Sequence, residues 1–263
     1  MSAVPTPEPY APLVRVDVDD AIATITLDSA RNFNALSTAM LDALQAAIER
    51  VAADRTARVV VIKAEGKAFS AGHDMREMHG MSREQHADLF ARCTKMMLSL
   101  QKMPQPVIAR VHAMATAAGC QLVAACDLAV AASNAQFAVS GVNYGIFCGT
   151  PSVPLARNVP RKMAFEMLVT GEFIDAHTAL ARGLVNRVVE PDRLDDVIAQ
   201  LAASIKAKSP DVIAAGKAMF YAQVEMGQAA AYQLAGEGMV CNLQTAPGRE
   251  GMTAFTEKRK PVF

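Results

Sequence analysis

The sequence has no excess of either charge sign: 26 Lys and Arg balance 26 Asp and Glu. Nothing therefore steers the chain toward nucleic acid or an anionic membrane surface. It has no C-x-x-C pair. Its five cysteines, at positions 93, 120, 126, 148 and 241, leave an odd one over. That argues against a disulfide framework and for reduced thiols in an intracellular compartment, and the expected localisation is cytoplasmic. The stretch Met1–Pro12 is rich in proline and holds no apolar signal core; it is expected to be a loose tail. No apolar run is long and clean enough to cross a bilayer. The most apolar stretch, residues 107–132, is interrupted by Arg110, His112, Gln121 and Asp127, whose burial in lipid would be costly. There is no internal repeat. What is present is ample apolar material, 52% of residues, for a real core.

The chain opens with two alternating runs, Leu13–Val18 and Ile22–Leu27, on either side of Asp19-Asp20. They predict a hairpin. Ser37 caps a helical stretch carrying Leu41, Leu44, Ile48 and Val51, and a continuous apolar strand follows at Val59–Lys63. Ser82 caps a second long helix, which Met103-Pro104-Gln105-Pro106 ends. Strands are expected at Val107–Val111, Asp127–Ala131 and Gln136–Val139, and the chain turns helical after Pro160. Strand and helix in succession suggest repeated ββα units.

Two loops carry the chemistry. Gly66-Lys67-Ala68-Phe69-Ser70-Ala71-Gly72-His73-Asp74-Met75 follows the first apolar strand, and His112-Ala113-Met114-Ala115-Thr116-Ala117-Ala118-Gly119-Cys120-Gln121-Leu122 follows another. Small residues after a strand let backbone N–H groups approach a ligand at a helix start. Two such donors are what a two-donor oxyanion hole needs.

At these residues the chain resembles the crotonase superfamily, the enoyl-CoA hydratase/isomerase family. The resemblance extends over Arg31-Asn32-Phe33-Asn34-Ala35-Leu36-Ser37, Ala125-Cys126-Asp127-Leu128-Ala129, Gly171-Glu172-Phe173-Ile174-Asp175-Ala176, Ala181-Arg182-Gly183-Leu184-Val185-Asn186 and Phe255-Thr256-Glu257-Lys258-Arg259-Lys260-Pro261. Ser-Ala-Gly-His-Asp and Ala-Gly-Cys-Gln-Leu are similar to the branch of enoyl-CoA hydratase domain-containing proteins. The resemblance implies an α/β crotonase-like ββα spiral over residues 13–190, an acyl-CoA-binding core. It implies a C-terminal helical trimerisation region over 191–263, in homotrimers or dimers of trimers.

Carried over residue by residue, the resemblance puts oxyanion donors at the backbone N–H of Ser70 and Ala118, where an acyl-CoA thioester carbonyl would bind. CoA and the acyl group would contact Phe33, Ala35, Leu36, Ala68, Ala71, Gly72, His73, Asp74, Ser140 and Lys258. No metal is implied, and CoA is part of the substrate, not a separate cofactor. For His73 a structural or ligand-contacting role is favoured over a general base, and His112 reads as a satisfied buried histidine. The family's hydratases use two glutamates as general base and acid; their positions here are Gln121 and Gly141. Gln accepts no proton at neutral pH and Gly offers no side chain. The later isomerase position falls in Gly145–Thr150, which has no carboxylate. Cys148 reads as a small buried thiol. General acid–base work contributes roughly a hundred- to ten-thousand-fold, so ordinary hydratase turnover is expected to be very poor. The expectation is an enoyl-CoA hydratase by family, a lyase. Its alternatives are an acyl-CoA decarboxylase, a thioester hydrolase using water held by Gln121, Ser140 or Tyr144, or a non-catalytic acyl-CoA binder.

Overall fold

The computed structural model describes residues 12–263; the expected tail over residues 1–12 lies almost entirely outside them. The hairpin forms as β1 (Val14–Asp19) and β2 (Ile22–Leu27). Its turn is made by Asp20 (φ 44°) and Ala21 (φ 59°), both left-handed. Two positive φ angles in a two-residue loop match the right-handed strand twist, which is why the hairpin closes without an Asn-Gly. Helix α1 (Thr38–Ala53) follows; the Ser37 side chain accepts from Met40 N–H at its start.

Three strand–strand–helix turns come next. The first is β3 (Val59–Ala64), β4 (Ala68–Ser70), α2 (Met75–His79) and α3 (Arg83–Lys102). The second is β5 (Val107–Val111), β6 (Met114–Thr116) and α4 (Ala118–Ala125). The third is β7 (Leu128–Ala132), β8 (Gln136–Ala138), a 3-10 turn at Ser140–Tyr144 and α5 (Gly149–Asn158). Each turn gives its first strand to a six-stranded sheet, ordered β1-β2-β3-β5-β7-β10, and its second to a four-stranded sheet, ordered β4-β6-β8-β9. The chain then runs through α6 (Arg161–Thr170), β9 (Ile174–Asp175), α7 (Ala176–Ala181), β10 (Arg187–Val189), α8 (Leu194–Lys206), α9 (Pro210–Gln223), α10 (Gln228–Leu243) and α11 (Ala246–Thr256).

The central strands pair in parallel and are apolar apart from Lys63 and Arg110 because both faces of their sheet are covered. One face packs on α1, α3 and α4 through Leu41, Leu44, Ile48, Leu89, Met96, Leu122 and their neighbours. The other face, Val59, Val61, Ile108 and Val130, is covered by Leu194, Ile198 and Ala202 of α8. At about 1.5–3 kcal/mol for each large aliphatic side chain buried, this face holds α8 to the body. The expected division at 190/191 falls just before α8, so the first helix beyond it completes the core of the spiral. Helix α9 is pinned by polar contacts. Lys217 Nζ donates to Leu100 O (2.8 Å), Gln105 O (3.0 Å) and Asp127 Oδ2 (2.6 Å), while Tyr221 OH donates to Asp127 Oδ1 (2.7 Å). Helix α10, by contrast, buries no residue.

Candidate active site

The two small-residue loops meet because their strands are neighbours. β4 and β6 pair in parallel with Ser70 opposite Ala115. The backbone beyond them then closes to contact distance. A Cβ built on Gly119 would lie 2.2 Å from Ser70 O, and one on Gly72 would lie 3.0 Å from Ala118 N. Only glycine allows either approach, and Gly72 has in addition a φ of 85°.

The Ala118 N–H opens α4. It lies in the first turn, whose N–H groups have no acceptor within the helix. The preceding residue, Ala117, sits at φ 49° and ψ −120°, a conformation natural to glycine. Its own N–H donates to Ala138 O at 2.9 Å, and its carbonyl accepts from Gln121 N–H at 3.0 Å. The strained residue is thus fixed on both sides, and with it the direction of the next N–H.

Asn34 holds the first loop. It is fully buried, with φ 51°. Its Nδ2 donates to Glu65 O (2.8 Å) and Ala68 O (2.9 Å), its Oδ1 accepts from Ser29 N–H (2.9 Å), and its carbonyl accepts from Ser70 Oγ (2.8 Å). Ala71 N–H donates to Phe33 O, and Leu36 N–H to Gly72 O. The segment 33–36 is thereby laced to 68–72. Phe33 is half exposed, whereas the Leu36 side chain is wholly in the core, so only its backbone is near the loop surface.

His73 Nδ1 lies 3.0 Å from Leu36 O, its ring stands edge-on to Phe90, and its Nε2 is buried without a partner among the described residues. Burial pushes its pKa below the ordinary value, partly offset by the Leu36 carbonyl and Glu77. The neutral ring bridges two loops. Asp74 accepts from Arg76 and Glu77 N–H as the cap of α2, and Glu77 accepts from Thr38 N–H. These two carboxylates thus bind helix starts. Contrary to the expectation from sequence, His112 is neither wholly buried nor fully satisfied: its Nε2 lies 2.9 Å from Gly66 O, but its buried Nδ1 has no partner among the described residues.

Gln121 is 4% exposed and its Oε1 has no partner among the described residues. Gly141 sits inside a tight loop. A Cβ there would meet Ile146 O at 2.5 Å and Cys148 Sγ at 2.8 Å. Cys148 Sγ accepts from Gly141 N–H at 3.3 Å, and burial raises the pKa of its thiol; burial likewise pushes Cys120 up to about 12. Both stay protonated. Ser140 Oγ pairs with Thr116 Oγ1 at 2.8 Å. Lys258 is exposed at the end of α11, with φ 54°, and no hydrogen bond or ion pair among the described residues joins it to Ser70 or Ala118. The sequence reading did not single out Asn34, Thr116, Ala117 or Gly119. An Asn and two glycines flanking the small residues were the available signal.

Residues 17–263 match the model of the Enoyl-CoA hydratase/isomerase family. Human "Enoyl-CoA hydratase domain-containing protein 3, mitochondrial" is 47% identical over 245 residues, 93% of this chain and 81% of that protein. The crotonyl-CoA hydratase of Syntrophomonas wolfei is 31% identical over 94% of this chain and 96% of its own length. Among solved structures, an enoyl-CoA hydratase of Mycobacterium smegmatis superposes with TM-score 0.94 at 55% identity, covering 96% of this chain and 99% of that one. Human enoyl-CoA hydratase domain-containing protein 3 superposes with TM-score 0.92 at 46% identity, over 95% and 100%. The vertebrate relatives are named for mitochondria, a different compartment from the cytoplasmic one expected from the cysteines. No helix among the described residues is long and apolar enough to cross a membrane. Fold, order of motifs and overall likeness agree, and the chain belongs to the enoyl-CoA hydratase/isomerase family, in the crotonase superfamily.

Proposed function

We propose that this chain binds an acyl-CoA thioester and polarises its carbonyl between the backbone N–H groups of Ser70 and Ala118. The observation that carries the reading is the contact of Gly119 with Ser70 O and of Gly72 with Ala118 N, which sets the two donor-bearing segments side by side. Charge builds on the thioester oxygen as an enolate or tetrahedral species forms. Preplaced donors stabilise that charge more than the ground state, and losing one costs about 3–4 kcal/mol.

By family the activity is that of an enoyl-CoA hydratase, but with slow hydration. Gln121 cannot exchange a proton, Gly141 has no side chain, the His73 ring is buried with one nitrogen on Leu36 O and its edge on Phe90, and Asp74 and Glu77 cap backbone N–H groups. What remains supports chemistry needing mainly enolate stabilisation, such as decarboxylation, or binding alone. A specific feature favours one further reading: the Thr116–Ser140 hydroxyl pair could hold a water for thioester hydrolysis. No separate cofactor is needed for any of these. The exposed stripe Tyr232, Met239, Val240 and Leu243 on α10, with Met252 and Phe255 on α11, supports a homotrimer or dimer of trimers.

Parallel assays separate the readings. Crotonyl-CoA tests hydration, a malonyl-type thioester tests decarboxylation by its product, and release of free thiol tests hydrolysis. The proposal expects CoA thioesters to bind and crotonyl-CoA to turn over at least a hundred-fold below ordinary hydratase rates. Failure of every thioester to bind would remove it.

A further inference from the structure

A cavity of about 590 Å³, within the range of ligand sites, lies beside the starts of β3 and β5. The proposed thioester loops leave the other ends of those strands, about 16 Å or more away. Gln105 lines the cavity and is 5% exposed. Its Nε2 donates to Val51 O and Asp54 O, both at 3.0 Å, which fixes the amide and leaves Oε1 as its unspent end. That oxygen is buried and has no partner among the described residues. Buried acceptors are rarely left unmet, so this one calls for an N–H or O–H donor from a ligand. Gln105 is also held from behind, since its carbonyl accepts from Lys217 Nζ at 3.0 Å. Ala57, Ile205, Ile213 and Ala214 make the lining around it apolar, and Arg55, Arg58 and Asp211 add charge. Arg58 Nη2 donates to the carbonyls of Lys206 and Lys208, which fixes the guanidinium and leaves the rest of its fork unspent. The Arg55 and Asp211 side chains make no ion pair or hydrogen bond among the described residues.

We infer that this cavity binds a free aliphatic amino acid, with its ammonium on Gln105 Oε1 beside Asp211, its carboxylate on Arg58 and Arg55, and its side chain against Ile205, Ile213 and Ala214. Guanidinium groups match a carboxylate in shape and charge. The orphaned acceptor needs a donor, and the neighbouring Asp211 carboxylate favours a cationic donor over a neutral one. A hydroxy acid offers the carboxylate and a donor but leaves Asp211 without a counter-ion. A fatty acid leaves Gln105 Oε1 unmet as well. The site shares no residue with the loops proposed to hold the thioester, so it stands independently of that reading.

Calorimetric titration of the full chain with L-leucine, its hydroxy-acid analogue, 4-methylpentanoate and leucinamide tests this. Leucine is expected to bind with a Kd of about 1 mM or tighter. It should bind about tenfold or more tighter than 4-methylpentanoate, which lacks the donor, and than leucinamide, which lacks the carboxylate. Asp211→Asn, at an exposed residue, is expected to weaken leucine severalfold and leave the hydroxy acid unchanged. Ala214→Leu fills the cavity and is expected to abolish leucine binding. No binding of leucine to the wild type overturns the inference. Equal affinity for leucine and 4-methylpentanoate removes Gln105 as the acceptor and overturns it too. A hydroxy acid that binds more tightly than leucine overturns the choice of an amino acid. If Ala214→Leu does not fold, Asp211→Asn decides alone: an unchanged ratio of leucine to hydroxy-acid affinity overturns the site.

Discussion

Gly119 packs its Cα against the carbonyl of Ser70, so closely that a Cβ would come within 2.2 Å of that oxygen and 2.8 Å of the Ser70 carbonyl carbon. The obstacle is backbone, which cannot swing aside as a flexible side chain could. Gly119→Ala is therefore expected to push the start of α4 away from β4. Forced overpacking of this kind costs about 1–3 kcal/mol, read as a lower midpoint in urea denaturation. Thioester affinity should fall more than free CoA affinity, because only the thioester oxygen needs both donors. An unchanged midpoint and unchanged thioester affinity would show that the contact is not needed.

Ala117 stores strain at the residue before the proposed second donor. Glycine takes φ 49°, ψ −120° without the Cβ clash, so Ala117→Gly is expected to raise stability by about 1 kcal/mol. Bonds to Ala138 and Gln121 hold the peptide on either side, so thioester affinity should change little. A large loss of affinity with no loss of stability would mean that the methyl group itself touches the ligand.

Gln121 and Gly141 respond differently to restored carboxylates. Gln121 already lines a cavity, so Gln121→Glu exchanges an amide for an acid of the same shape. Gly141→Glu must displace Ile146 O and Cys148 Sγ, which a Cβ would meet at 2.5 and 2.8 Å. The second variant is expected to lose about 1–3 kcal/mol of stability and to gain no hydratase activity alone. Gln121→Glu should fold normally and raise crotonyl-CoA hydration above the wild type. A stable, active Gly141→Glu enzyme would contradict the loop geometry.

The buried His73 ring makes stability depend on pH. Its pKa in the folded state lies below the ordinary 6.5, chiefly through burial. In acid the unfolded chain binds this proton more readily than the folded one. The contribution is therefore fully present above about pH 6.5 and is lost as pH falls through the lower folded value. Urea midpoints should drop between about pH 7 and pH 5 in the wild type and drop less in His73→Gln. Equal slopes in the two proteins would remove His73 as the source.

The ββα repeats could be read because the hairpin strands alternate, β3 and β5 are continuous apolar runs, and Ser37 and Ser82 cap helices. Helix α5 was not legible: Pro151 and Pro154 lie within it and Gly149 opens it, three residues that argue against a helix one by one. Packing overrides them, with Pro151, Pro154 and Leu155 all buried. The short strands β4 and β6 carry too few residues for a period to show. In the site, the two loops of small residues after strands were legible, and the resemblance put the proposed donors at Ser70 and Ala118 within them. The support beneath them was not, because the Asn34 bonds, the strain at Ala117 and the Gly119–Ser70 contact depend on segments distant in sequence. The crowding at Gly141 depends likewise on how residues 146–148 fold back, which no local pattern encodes.

A polarised thioester held without the hydratase carboxylates should leave a spectroscopic mark. The most direct test is the absorbance spectrum of crotonyl-CoA on mixing with the purified protein. The enoyl-thioester band is expected to shift to longer wavelength on binding, as two N–H donors draw charge onto the carbonyl oxygen, and the shifted band is expected to persist. A band that does not move contradicts the paired donors at Ser70 and Ala118. A band that vanishes at ordinary hydratase rates contradicts the reading of Gln121 and Gly141.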